Sequence, residues 1–229
     1  YILSFSDDVV VLNRKMFSEY SKKFNNVSLI GNGINYSQFR KESIKTNSVL
    51  TRREDVITVA MISRFTSNKG IEGIIKSLAR LTSFNFRFVL IGYGENKYET
   101  ELLKTCREKL STDRFLFLGR QRNIANLLSK IDIFAVNSDN EGFPINLLEA
   151  MSMSKIIVAP NHEPFRSILK LSGLICDFIK NDNVSLDNAF KKAFSVVLSG
   201  KKNVIYIMEP FSVQNMVKKY KQLYNKKYE

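Results

Sequence analysis

Two carboxylates and two cations are the residues whose spacing could do chemistry. Glu141 and Glu149 enclose seven residues in the stretch NSDNEGFPINLLEA, which runs from Asn137 to Ala150. Glu149 falls in an otherwise mostly apolar run of Ile145, Leu147, Leu148, Ala150 and Met151. A carboxylate buried there is costly unless it finds a partner. Sugar or ribose hydroxyls are good partners, because an ionised carboxylate can only accept hydrogen bonds. The same residues also read as plain structure, with Glu141 capping a helix and Glu149 on its outer face. Arg64 and Lys69, five residues apart in SRFTSNKG, could hold a phosphate beside a helix N-terminus through charge-assisted hydrogen bonds. Alone, they fit two solvated loop cations equally well.

Pro144 suits the first position of a helix, which places Glu141 and Gly142 at the helix entrance with outward N–H groups. Ser138 and Phe143 belong to the same loop. Gly92-Tyr93-Gly94 follows an apolar run and precedes a helix, a pattern that would suit a dinucleotide fold. Position 97 is Lys where a third glycine would stand, and no acidic residue closes a following strand, so a tight turn is the plainer reading. The loop Gly119-Arg120-Gln121-Arg122-Asn123 could offer backbone groups and arginines to a base or a phosphate, or be an ordinary connection.

These loops need elements to carry them. Strand-length apolar runs occupy residues 9–12, 27–30, 56–62, 86–91, 115–118, 131–136, 156–159 and 174–178. Helical patterns lie between them. The clearest covers residues 70–81, with Ile71, Ile74, Ile75 and Leu78 on one stripe. Such alternation reads as βαβ units: an α/β, doubly wound, Rossmann-like parallel sheet covered on both faces. Ligands then bind where strand ends enter helices. Residues 41–55 are polar and hold the expected linker, residues 54–199 form the compact domain, and a last helix begins near Ser212 with the stripe Val213, Met216, Val217, Tyr220, Leu223 and Tyr224.

At these residues the sequence resembles the nucleotide-sugar-binding half of the GT-B, family-four retaining glycosyltransferases (glycosyl transferases group 1). The resemblance rests on the Arg64/Lys69 loop, Gly92-Tyr93-Gly94, residues 115–119 and, above all, Ser138 through Glu149, which matches the family's Glu-x7-Glu motif with its Gly-Phe-Pro. Asn32-Gly33-Ile34-Asn35 with Phe39 resembles the family's Asn-Gly-Ile-Asp turn. The resemblance implies that Arg64, Lys69 and Glu141 do the catalytic work. Arg64 and Lys69 would hold the donor diphosphate, Glu141 the sugar hydroxyls and Glu149 the ribose. Gly142, Phe143, Pro144, Ser138, Gly92 and Gly94 would line the donor, and Arg120 and Gln121 would meet the base. It implies residues 1–53 as the end of an acceptor domain plus the junction, and residues 200–229 as a helix crossing back to that domain. It departs at Asn35, where the family has an acid, and at Ser167, where NHEPFRS ends without the family's carboxylate. His162 reads as a loop residue.

Composition narrows the classes. With 35 Lys plus Arg against 22 Asp plus Glu, the net charge is +13, which invites an anionic partner. Most of it reads as solvated surface, and no nucleic-acid motif accompanies it, so no nucleic-acid partner is expected. An apolar fraction of 44% supports a real core and excludes wholesale disorder. No run reaches the ~18 apolar residues of a spanning helix. Cys106 and Cys176 match no metal or disulfide spacing, which suggests a reducing compartment. No Asp-x-Asp is present, so no metal or other cofactor is expected beyond the nucleotide sugar. The chain opens at Tyr1 without a signal-peptide pattern and reads as a piece of a longer protein, which the resemblance implies to be bacterial and cytoplasmic. The expected partners are a nucleotide sugar, an acceptor glycan or glycolipid met through a missing N-terminal domain, and an anionic membrane surface touched peripherally. The rival readings are a nucleotide-sugar-binding module without transferase activity and another GT-B enzyme such as a nucleotide-sugar epimerase.

Overall fold

The computed structural model describes residues 6–44, 48–170, 176–200 and 204–225. Leu174 and Tyr228 lie outside the described residues. The chain begins with β1 (Val9–Val11), α1 (Arg14–Tyr20), β2 (Val27–Leu29) and α2 (Tyr36–Glu42). β1 and β2 pair in parallel as a separate two-stranded sheet. α2 has no apolar stripe to announce it. Its start is fixed by Asn35, whose Oδ1 accepts from the backbone N–H of Gln38 at 3.2 Å. Asn35, the residue that departs from the family's acid, is thus the N-cap of this helix.

The main sheet follows: β3 (Ile57–Phe65), α3 (Ile71–Arg80), β4 (Phe86–Gly94), α4 (Asn96–Lys109), β5 (Phe115–Gly119), α5 (Ile124–Ser129), β6 (Ile133–Ala135), α6 (Ile145–Ser152), β7 (Ile156–Pro160), α7 (Phe165–Leu169), β8 (Cys176–Phe178) and α8 (Asn183–Leu198). The six strands are all parallel, in the order β5-β4-β3-β6-β7-β8. The doubly wound fold is therefore as the alternation predicts. Its central strands are apolar on both faces: Val59, Ala60, Phe88, Val89, Ile133, Phe134 and Val158 are fully buried. The chain moves outward from β3 to β5, then returns to lay β6 on the other side of β3. The crevice above that reversal is a topological switch point, flanked by the loops that leave β3 and β6.

Several strand bounds shift by one to three residues, and three differences bear on the site. β3 runs three residues past 62, so Arg64 sits in the strand and not in the loop. β4 likewise extends through Gly92, Tyr93 and Gly94, which are strand and not a tight turn. Each extension supplies the other's hydrogen bonds, pairing Ser63 with Gly92, Arg64 with Tyr93 and Phe65 with Gly94. Pro144 precedes α6 in an extended conformation (φ −80°, ψ 92°) instead of opening it, because the chain is still descending from the loop into the helix.

The last helix, α9 (Val213–Asn225), starts as expected, with the N–H of Asn215 donating to Ser212 Oγ at 3.1 Å. Its root is welded to the junction turn: Ile34 N–H donates to the Phe211 carbonyl at 2.9 Å, and Val213 N–H donates to the Ile34 carbonyl at 3.2 Å. Beyond that root no α9 residue is buried, and Val217 and Tyr224 are exposed. α3, by contrast, buries Ile71, Ile74, Ile75 and Leu78. Amide hydrogen exchange should therefore be distinctly faster in α9 than in α3. Equal protection in the monomer would show that α9 docks fully on its own chain.

Candidate functional site

Both loops at the switch point are short of regular structure, and side chains stitch them together. Gly70 ends the 3-10 turn Ser67–Lys69 with φ +61°, and a Cβ there would lie 2.4 Å from the Asn137 carbonyl oxygen. A glycine is needed for both reasons. In the space this leaves, Asn137 Nδ2 donates to the Gly70 carbonyl at 2.8 Å. One residue pair further, the N–H of Asp139 donates to the Asn68 carbonyl at 2.8 Å. Lys69 Nζ then meets Glu141 Oε1 at 2.5 Å, with the two side chains 13% and 20% exposed. Half-shielded from water, this pair is stronger than a surface ion pair, and a competing anion or donor can still reach it.

Arg64 lies at the same end of β3, exposed, and its guanidinium makes no hydrogen bond or ion pair to any described residue. Opposite its neighbour Ser63, Gly92 adopts φ +142°, where a Cβ would fall 1.8 Å from the Ser63 carbonyl oxygen. No side chain fits there, and the two strand ends close tightly. Arg120, leaving β5, lays its guanidinium 4.9 Å from the centroid of the Tyr93 ring. Arg64, Tyr93, Arg120 and the Lys69–Glu141 pair thus sit along the carboxyl edge of three adjacent strands and the loop that follows a fourth.

Glu149 is the group whose environment is least ordinary. On α6 it shares a face with Asn146, three residues earlier, whose Nδ2 donates to the Ile62 carbonyl near the end of β3 at 2.7 Å. Glu149 is half-buried and has no polar partner among the described residues. Burial pushes its carboxyl up to about 7. Its partial burial rules out the fully exposed outer-face alternative.

Other expected residues are placed differently. Gln121 Nε2 turns back to donate to the Leu118 carbonyl at 2.5 Å, so its side chain serves its own turn. Pro144 is buried beneath the loop. Gly142 is exposed, and its carbonyl accepts from Asn13 Nδ2 at 2.8 Å, tying the loop to the end of the small sheet. Phe143 lines a pocket of about 210 Å³ between α1, α7 and α9, together with Leu12, Gly31 and Phe211. Ser138 is buried, and its carbonyl lies 3.1 Å from His162 Nε2. His162 is therefore oriented after all, with Nδ1 2.8 Å from the Glu163 carbonyl, and it braces the loop from the β7 side. Sequence reasoning missed Asn13, Asn137 and Lys180 as site-building residues. The contacts by which they build the site reach residues 41 or more positions away, and no local pattern marks those contacts.

The switch point of the parallel sheet thus carries two stitched loops, an arginine whose guanidinium is unpaired among the described residues and a lysine–carboxylate pair. The family model described as glycosyl transferases group 1 matches residues 42–202, and the chain belongs to that family. It is 24% identical over 227 residues to the O-antigen biosynthesis glycosyltransferase WclY of Escherichia coli, covering 96% of this chain and 62% of the relative. It is 33% identical over 92 residues to the N-acetyl-alpha-D-glucosaminyl L-malate synthase of Bacillus anthracis, covering 40% of this chain and 24% of the relative. Among solved structures, Anabaena Alr3699/HepE in complex with UDP and glucose superposes with a TM-score of 0.81 at 18% identity, over 97% of this chain and 64% of that one. A glycosyltransferase from Rickettsia africae gives 0.79 at 18% identity, over 96% and 63%. The fold is that of the GT-B glycosyltransferases. The chain spans about three fifths of WclY and smaller shares of the other curated relatives it matches.

The raised Glu149 carboxyl has a sign that can be checked. A carboxyl that binds its proton more tightly folded than unfolded makes stability fall as pH rises from about 4.5 to about 7. Glu149→Gln should therefore stabilise the protein at pH 8, by up to roughly 3 kcal/mol, and have little effect at pH 5. Urea unfolding of both proteins at the two pH values measures this. An equal effect at both would show that the carboxylate is not desolvated.

Proposed function

We propose that this chain is the donor-binding part of a retaining glycosyltransferase. It would transfer a sugar from a nucleoside-diphosphate sugar to an acceptor hydroxyl in the assembly of a bacterial surface polysaccharide or glycolipid. The observation that carries this reading is the Lys69–Glu141 pair beside the unpaired Arg64 at the switch point. In glycosyl transfer the bond from the anomeric carbon to the diphosphate breaks, and its electron pair leaves on the phosphate. Two cations held where that charge develops stabilise the transition state. Lys69 would exchange Glu141 for the diphosphate, and the released Glu141 would accept from the sugar hydroxyls. Glu149 would accept from the ribose hydroxyls, which favours its ionised form and draws its proton off. Arg120 and Tyr93 would meet the nucleoside from the β5 side, and the backbone around Gly142 and Phe143 would line the sugar end. In this reading the cations act without a metal ion.

The Escherichia coli relative WclY, an O-antigen biosynthesis glycosyltransferase, supports the setting. No helix among the described residues is long and apolar enough to cross a membrane. The exposed Arg14 and Lys15 on α1 and Lys218, Lys219 and Lys221 on α9 favour peripheral attraction to an anionic surface such as the inner face of the cytoplasmic membrane.

Calorimetric titration with UDP, GDP and their sugar conjugates tests the roles. Arg64→Ala and Lys69→Ala should each weaken diphosphate binding about ten- to a hundredfold. Glu149→Ala should weaken every nucleoside ligand. Glu141→Ala should leave the free diphosphate no weaker, because it removes the competitor for Lys69, and should weaken the intact nucleotide sugar. If the two glutamate variants change both ligand types equally, or neither, the carboxylates are structural and the assignment fails. The 229-residue chain by itself should bind donor and transfer no sugar, so multiple-turnover transfer by it would contradict a donor-only role.

A further inference from the structure

The loop that carries Glu141 is gripped from both sides by lysines, and only one of them faces the proposed ligand. The second is Lys180, on the connection from β8 to α8. β8 lies two strands away from β6 across the sheet, about 10 Å at normal strand spacing. Lys180 spans that distance over the end of β7. Its Nζ lies 2.5 Å from the Asn137 carbonyl oxygen, 2.8 Å from Asn137 Oδ1 and 3.0 Å from Asp139 Oδ1. The two contacts to Asn137 are hydrogen bonds and the third is an ion pair. Lys180 is 17% exposed and Asn137 is buried. A lysine engaged in this way acts as a brace between the β8 connection and the loop.

The brace has a fixed origin. The Phe178 carbonyl accepts from Asn161 N–H at 2.7 Å, Ile179 N–H donates to Ser185 Oγ at 2.9 Å, and Asp182 N–H donates to the Ile179 carbonyl at 3.1 Å. Asn181 takes the left-handed conformation that turns the chain there (φ +66°). The other end of the brace is also anchored, since Asn137 passes the constraint on through Nδ2 to the Gly70 carbonyl at the start of α3. Gly73 adds room for it: a Cβ there would stand 2.8 Å from Asn137 Nδ2.

We infer that Lys180 is a positioning residue of the site. By holding Asn137 and Asp139 it sets the loop that presents Glu141, and through Asn137 it sets the Gly70 end of the loop that presents Lys69. This rests on the donor reading above for its functional consequence, but the mechanical part does not. Lys180 is remote in sequence from both loops it controls, and it couples the edge strand to the switch point.

The test compares wild type, Lys180→Met, Lys180→Arg and Asp139→Asn by two readouts. The first is amide exchange in residues 138–142 relative to α3. The second is calorimetric affinity for UDP or GDP, whichever the wild type binds. Lys180→Met should speed exchange in residues 138–142 and weaken the nucleoside diphosphate, each about tenfold, while the core of α3 keeps its protection. Lys180→Arg should recover part of both, and Asp139→Asn, which leaves the two bonds to Asn137, should show a smaller loss of both. Unchanged exchange in a folded Lys180→Met would overturn the inference, and so would faster exchange with unchanged affinity. If Lys180→Met does not fold, Asp139→Asn decides by the same two readouts. A wild type that binds no nucleotide would sink the donor reading, and the exchange data would still decide whether Lys180 holds the loop.

Discussion

The site depends on one constraint: two loops with little regular structure must be held a hydrogen bond apart above the reversal point of the sheet. The contact of Asn137 with Gly70 sets that distance, and the Lys69–Glu141 pair lies across it. Loops of this kind do not hold their shape by backbone bonding alone. Here side chains replace the missing ladder, with His162 from the β7 side, Lys180 from the β8 side and Asn13 from the small sheet. The sheet beneath is rigid because it is apolar on both faces, so the braces have a fixed base to work from.

The electrostatics follow from that frame. Lys69 is paired with Glu141 and the Arg64 guanidinium is unpaired among the described residues. In the proposed function an arriving diphosphate would find one free cation and one that must change partner, and the resting pair would spare Lys69 an unpaired wait in a half-shielded site, where a lone charge is costly. The exchange would also link the sugar and phosphate halves of the ligand, since Glu141 would become available only when Lys69 turned to the phosphate. Glu149 works in the opposite sense. Its burial opposes ionisation, and a ligand that brings hydroxyl donors supplies what the fold withholds.

Much of this was legible in the sequence. The apolar runs gave the strand order in chain sense, the stripe Ile71, Ile74, Ile75 and Leu78 gave α3, and Ser212 gave the start of α9. The carboxylate pair and the two cations were legible as types, because costly residues in an apolar context need a reason. What was not legible has physical causes. The ends of β3 and β4 are polar or glycine and extend only because each strand completes the other. α2 lacks a stripe, although Asn35 with Gln38 three residues on was a readable cap. Lys180 and Asn13 act on partners 43 and 129 residues away, and a long side chain crossing a neighbouring strand leaves no local pattern.

The most direct measurement of the central claim is a nuclear magnetic resonance titration of the isotopically labelled protein with UDP and with GDP, following backbone amides and lysine side chains. The account predicts that one of the two nucleotides shifts residues 63–70, 92–94, 119–121 and 137–149 together, with a change at the Lys69 ammonium. The pocket between α1 and α9 should stay largely silent. Shifts centred on that pocket, or no shift at the Lys69 and Glu141 loops with either nucleotide, would contradict it.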